Sequence, residues 1–92
     1  MNKIEELKKL ITDFRDERDW KQFHNPKDLA QAISIESSEL QEHFLWISQE
    51  ESFNIVENNK EEVADEMADI FAYLLALSDI TGIDLEESIR NK

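Results

Sequence analysis

Residues 60–82 read KEEVADEMADIFAYLLALSDITG, and this stretch decides the fold. Val63, Met67, Ile70, Phe71, Leu74, Leu75 and Leu77 recur at the three- and four-residue spacing of a helix, with no proline to interrupt them. Gly82 then supplies the left-handed residue that ends it. From Ile70 to Leu77 the run IFAYLLAL is apolar almost all the way round, and a helix without a polar face must be buried on several sides. The other helices of so short a chain offer cover for little more than one side. A second subunit, packed through a self-complementary two-fold interface, is therefore expected to supply the rest.

Working outward, Asp84 and Glu87 form a capping box for a short helix carrying Leu85 and Ile89. Upstream, Asn25 is placed to cap a helix with Pro26 in its first turn and Asp28 at its third position. That helix is predicted to run from Pro26 to about Ile47 on Leu29, Ile33, Leu40 and Phe44, and Ser48 with Glu51 can start a short extra turn beyond it. Ile4, Leu7, Leu10, Ile11 and Phe14 mark a first helix over about 3–18, with Lys8, Lys9, Asp13 and Arg15 as the polar residues between them. Trp20 to Asn25 is left as a loop. One glycine and one proline provide almost none of the turns that β-hairpins need. Ninety-two residues hold one core, so the expectation is a single all-α domain over 1–92, a small protomer of the four-helix-bundle type.

Lys plus Arg number 10 against 22 Asp plus Glu, a formal charge of −12. So acidic a chain is a poor partner for nucleic acid polymers and for anionic membranes. There is no cysteine, which removes disulfides, thiolate metal sites and thiol nucleophiles together. No apolar run approaches the roughly 20 residues of a membrane span, and MNKIEELKKLITDF lacks the apolar core of a secretory signal. A cytoplasmic location is expected. One glycine cannot build a phosphate-binding glycine loop, and no histidine sits where a serine triad would need it.

The acids are not scattered. On a wheel of about 100° per residue, Glu36 falls between Ile33 and Leu40, inside the apolar stripe, with Glu39 one step round. In the central helix Glu66 falls between Val63 and Ile70, and Asp69 shares its edge with Glu62 and Tyr73. A lone E-x-x-E means little in an acidic helix, whose charges are usually just solvated. Two inward-facing pairs on successive helices are different, because buried like charges repel and need a cation, and no Lys or Arg lies on those stripes. Clustered hard oxygen ligands select Mg²⁺, with Mn²⁺ as a substitute, and magnesium characteristically shares its carboxylates with substrate phosphates.

Aromatic rings gather near these acids. Trp20, Phe23 and His24 lie in the loop before the second helix, Trp46 at that helix's far end, and Tyr73 one turn past Asp69. Flat faces beside a metal site suit a nucleotide, its base stacked and its phosphates at the metal. Each ring taken alone is as readily a core anchor, Trp46 beside Phe44 and Leu45 in particular. His24 and His43, with no second histidine at ligand spacing, are each more readily structural or exposed than ligating, His24 being the better functional candidate. Lys21, Lys27 and Lys60 are candidates for phosphate contact simply because cations are few.

The segment RDWKQFHNPKDLAQAISIESSELQEHFLW, followed by EEVADEMADIFAYLLALSDITGIDLEESI, resembles the MazG-like all-α nucleoside triphosphate pyrophosphohydrolases, especially the small branch containing the dCTP pyrophosphatases. The resemblance covers about residues 15–92. The family signature, E-x-x-E followed at a variable distance by E-x-x-D, reads here Glu36-Ser37-Ser38-Glu39 and Glu66-Met67-Ala68-Asp69. It implies that these four hold Mg²⁺, that Trp20, Trp46 and Tyr73 line a base and sugar pocket, and that Phe23 and His24 share its loop. It further implies hydrolysis of a nucleoside triphosphate to the monophosphate and pyrophosphate, and assembly as a homodimer or homotetramer; a nearby carboxylate would take the proton of the attacking water, and Glu39 is the preferred candidate. Similar proteins continue past the last helix into a basic tail, which is not found up to Arg90-Asn91-Lys92. Two rival readings stand beside this one: a non-catalytic helical oligomerisation or regulatory module, and an enzyme of the same superfamily acting on dUTP or phosphoribosyl-ATP.

Overall fold

A computed structural model of the chain describes residues 2–92. Its helices are α1 (Lys3–Glu17), α2 (Pro26–Glu42), α3 (Gln49–Asn58), α4 (Lys60–Thr81) and α5 (Leu85–Arg90), with one 3-10 turn at Lys21–Phe23 between α1 and α2. No strand occurs among the described residues. Side-chain caps start four of the five helices. Asn2, Asn25, Ser48 and Asp84 each accept a hydrogen bond from the backbone N–H three residues on, at 2.8 to 3.1 Å. Gly82, at φ +71°, ends α4 in the left-handed region.

The α4 helix is the axis of the fold. Helix α2 packs along it most extensively, α1 along a second side, and α3 touches it more lightly. The innermost residues lie on the α2–α4 seam and its continuation: Leu29, Val63, Leu75 and Ala76 are each at most 5% exposed. Arg15 of α1 is as deeply placed, at 4%. It therefore belongs to the apolar stripe and not to the polar face between the apolar residues, as its sequence position suggested. The wheel explains this, since Arg15 stands one turn beyond Ile11.

Two expectations about the middle of the chain are corrected. The second helix does not reach Ile47. It stops at Glu42, the next amides bond three residues back (His43 N–H to Leu40 O at 3.4 Å, Phe44 N–H to Gln41 O at 2.9 Å), and Trp46 has φ +65°. A left-handed residue cannot continue a right-handed helix. The apolar residues Phe44 to Ile47 kept helical spacing with Leu40, and no glycine or proline marked the break. Beyond it, Ser48 opens a full ten-residue helix instead of a single turn, so the described residues form five helices and not four. The radius of gyration is 15.2 Å, against about 12 Å for a compact domain of this length.

Candidate active site

The aromatic loop is shaped by the end of α1. Asp19, at φ +56°, reverses the chain so that the Trp20 N–H donates to Arg15 O at 3.0 Å. The Trp20 ring meets Phe14 edge-on, with centroids 5.7 Å apart, and the Arg18 guanidinium lies 3.5 Å over the Phe14 ring. The 3-10 turn then carries the chain to His24, whose N–H donates to Lys21 O at 2.9 Å, and Asn25 starts α2. This folds Trp20, Phe23 and His24 over Tyr73 of α4. Two cavities share Trp20, His24 and Tyr73 as walls: one of about 280 Å³ reaches Phe23 and Leu29, and the other, of about 340 Å³, reaches Phe14, Arg15 and Asp69.

Arg15 anchors the inner wall. Its Nε donates to Asp16 Oδ1 and its Nη1 to Asp79 Oδ2, both at 2.9 Å. Burial works against the charge, but these two carboxylates outweigh it and raise the guanidinium pKa further. His24 beside it has its pKa lowered, first by burial and then by the Arg15 charge, so the imidazole is neutral at pH 7. Its Nδ1 is buried with no hydrogen-bond partner.

The carboxylates occupy the facing edges of α2 and α4. Glu36 and Glu66 are half-buried, whereas Glu39 and Asp69 are exposed, so the inward placement expected for all four holds fully for one of each pair. The Glu36 pKa is raised by burial first, then by Glu39, and then by Asp69 and Glu66. The other three therefore lie within electrostatic reach of Glu36. Among the described residues, no three His, Cys, Asp or Glu side chains stand close enough to hold a metal ion as they are. Yet the donor set fits a hard cation. Glu36 Oε2 is buried without a donor, and Glu66 Oε2, also buried, lies 2.5 Å from His43 Nε2 without a directed hydrogen bond.

Of the expected substrate contacts, Trp20, Phe23, His24 and Tyr73 come together, and Trp46 does not. Its ring is 97% exposed and lines neither cavity. It is thus no core anchor of this chain. Lys27 points outward, 3.7 Å from Asp28. Lys60 lies at the start of α4 among Glu57, Glu61 and Glu62. Sequence reasoning missed Arg15 and the contact of His43 with Glu66. For Arg15 a signal existed: an arginine on the stripe of α1 and an aspartate, Asp79, one turn beyond Leu75 on the stripe of α4. For His43 there was none, because its neighbour comes from another helix.

Residues 31–92 match the MazG-like family. The chain is 36% identical over 91 residues to dCTP pyrophosphatase 1 of Rattus norvegicus and 34% identical to that of Homo sapiens, covering 97% of this chain and 54% of each relative. It thus spans about half the length of the curated relatives it matches. A crystal structure of a pyrophosphatase from Archaeoglobus fulgidus superposes with a TM-score of 0.94 at 42% identity, over 99% of this chain and 85% of that one. With the family match over two thirds of the chain, the two acid pairs on facing helices and this shared fold, the protein belongs to the MazG-like family.

Proposed function

We propose that the protein hydrolyses nucleoside triphosphates to the monophosphate and pyrophosphate, with dCTP-like nucleotides preferred. One observation carries this reading: a ring-walled cavity, bounded by Trp20, His24 and Tyr73, also has Asp69 in its wall, beside carboxylates whose buried oxygens lack donors. A base among the rings leaves its phosphates toward the acids. The relatives named dCTP pyrophosphatase and the archaeal pyrophosphatase support the same chemistry.

Glu36, Glu39, Glu66 and Asp69 would hold Mg²⁺, with Mn²⁺ as a substitute. When bound, the ion screens the polyphosphate and makes a water more acidic. The residues of the chain do the remainder. Trp20 and Tyr73 stack and orient the base, while Glu39, the accessible member of the first pair, takes the proton of the attacking water. A chain of net charge −12 repels a triphosphate, so the acids cannot act on the bare anion. A homodimer or homotetramer is part of this reading.

The test is a pyrophosphate-release screen across nucleoside triphosphates, with and without Mg²⁺. The expected result is magnesium-dependent release of one pyrophosphate per monophosphate formed, fastest with a cytosine nucleotide. Absence of release from every nucleotide at millimolar Mg²⁺ would refute the proposal.

A further inference from the structure

Arg15 is held on two edges and left open on the third. Asp16 takes Nε and Asp79 takes Nη1, each at 2.9 Å, which fixes the plane of the guanidinium. Nη2 makes no hydrogen bond to the protein among the described residues, and it is not sealed from solvent as His24 Nδ1 is. The residue also lines the 340 Å³ cavity, with Trp20 and Tyr73 among its other walls. An arginine has five N–H donors, keeps its charge at any ordinary pH and accepts nothing. A rigid, charged donor is therefore presented to a space bounded by rings, and a flat ligand seated there meets it edge-on.

We infer that Arg15 reads the nucleobase, donating from Nη2 to an exocyclic carbonyl oxygen of the base stacked against Trp20 or Tyr73. This rests on the nucleotide reading above and adds which bases the site accepts. Cytosine, uracil, thymine, guanine and hypoxanthine each carry such an oxygen. Adenine carries none, and its amino group would set donor against donor, leaving a buried charged N–H unpaired. His24 stands in the same wall with its own buried, unpartnered nitrogen, a second polar group for the base edge. Asp16 and Asp79 act as positioning residues, since they aim the fork and do not reach the ligand.

Single-atom substitutions of the base test this on the intact protein. With Mg²⁺ present, binding is followed by tryptophan fluorescence and turnover by pyrophosphate release, for CTP against 2-thio-CTP and for ITP against ATP. Sulfur is a poor acceptor, so the wild type is expected to favour each oxygen-bearing partner by about tenfold or more. Arg15→Lys keeps the charge beside Asp79 but lacks Nη2, and should bring both ratios close to one, whereas a merely structural role would lower all four nucleotides together and leave the ratios unchanged. Should the variant not fold, the wild-type ratios decide alone. Pyrophosphate release without discrimination within either pair would overturn the assignment of Arg15 and leave the enzyme reading standing; no binding or release with any nucleotide would overturn both.

Discussion

Glu36 keeps one carboxylate oxygen buried with no donor facing it. Burial first, and then Glu39, Asp69 and Glu66, raise its pKa above the ordinary 4.5. The folded protein therefore binds this proton more tightly than the unfolded chain does, and stability falls as pH rises from the ordinary carboxylate range through the raised value. Above that value the penalty is fully present. In the absence of metal, Glu36→Gln should thus melt above the wild type at neutral pH, with the advantage vanishing below about pH 4, where both states are protonated. Thermal melts in chelator across that range measure it, and a variant less stable than the wild type at neutral pH contradicts it. Glu66→Gln should behave differently in turnover. It keeps the side-chain volume but weakens a proposed metal ligand, and even groups that merely orient ligands cost about 10- to 100-fold. A loss of about 100-fold or more in magnesium-dependent turnover is expected, and wild-type rates would remove Glu66 from the site.

At the scale of elements, the boundaries of α2 shape both ends of the site. Asn25 accepts from the Asp28 N–H at 2.9 Å and also ends the aromatic loop. Asn25→Ala should cost about 1 kcal/mol of stability and weaken nucleotide binding, because the loop then lacks its fixed point. Denaturant titration gives the first quantity and fluorescence the second. The far end raises a sharper question. Trp46 holds a left-handed backbone, which costs an ordinary residue about 1–2 kcal/mol, while its ring is 97% exposed. Trp46→Gly relieves that strain and pays some of it back in unfolded-chain freedom, about 0.5–1 kcal/mol. For an isolated protomer, stability should be unchanged or slightly raised. A loss well beyond 1 kcal/mol would show that the ring packs against another subunit.

The whole molecule is more open than a compact monomer of its size. Its accessible surface is 7138 Å², whereas a compact 10.9 kDa monomer has about 5,600 Å². The excess exceeds the roughly 800 Å² that each subunit covers in a standard-sized dimer interface. Part of it lies on α4 itself: α1, α2 and α3 cover more of that helix than the sequence led us to expect, yet Met67 remains 58% and Phe71 38% exposed. Phe71 also borders an apolar cleft of about 430 Å³ with Ile4, Leu85 and Ile89. We therefore expect at least a homodimer in solution and dissociation by Phe71→Asp, with a lower melting temperature. Sedimentation of the wild type as a folded monomer at micromolar concentration would remove the dimer. No helix among the described residues is long and apolar enough to cross a membrane.

How much was legible in the chain follows from the range of the forces involved. Caps, helix spacing and the glycine stop act within about one turn, so Asn25, Ser48, Asp84, Gly82 and the long apolar run already determined that the chain is all-helical, where three helices begin and where a fourth ends. The wheel likewise put Glu36 and Glu66 on the faces that α2 and α4 turn toward each other, because that placement needs only the 3.6-residue period. The early end of α2 was not legible: the residues after Glu42 carry no breaker, and the left-handed position falls on Trp46 and not on a glycine. The contact of His43 was beyond reach, and that of Arg15 was marked only by its place on the stripe of α1, for a related reason. Their partners, Asp79 and Glu66, lie 64 and 23 positions away along the chain, and a buried polar side chain declares its purpose only once packing selects the group that answers it.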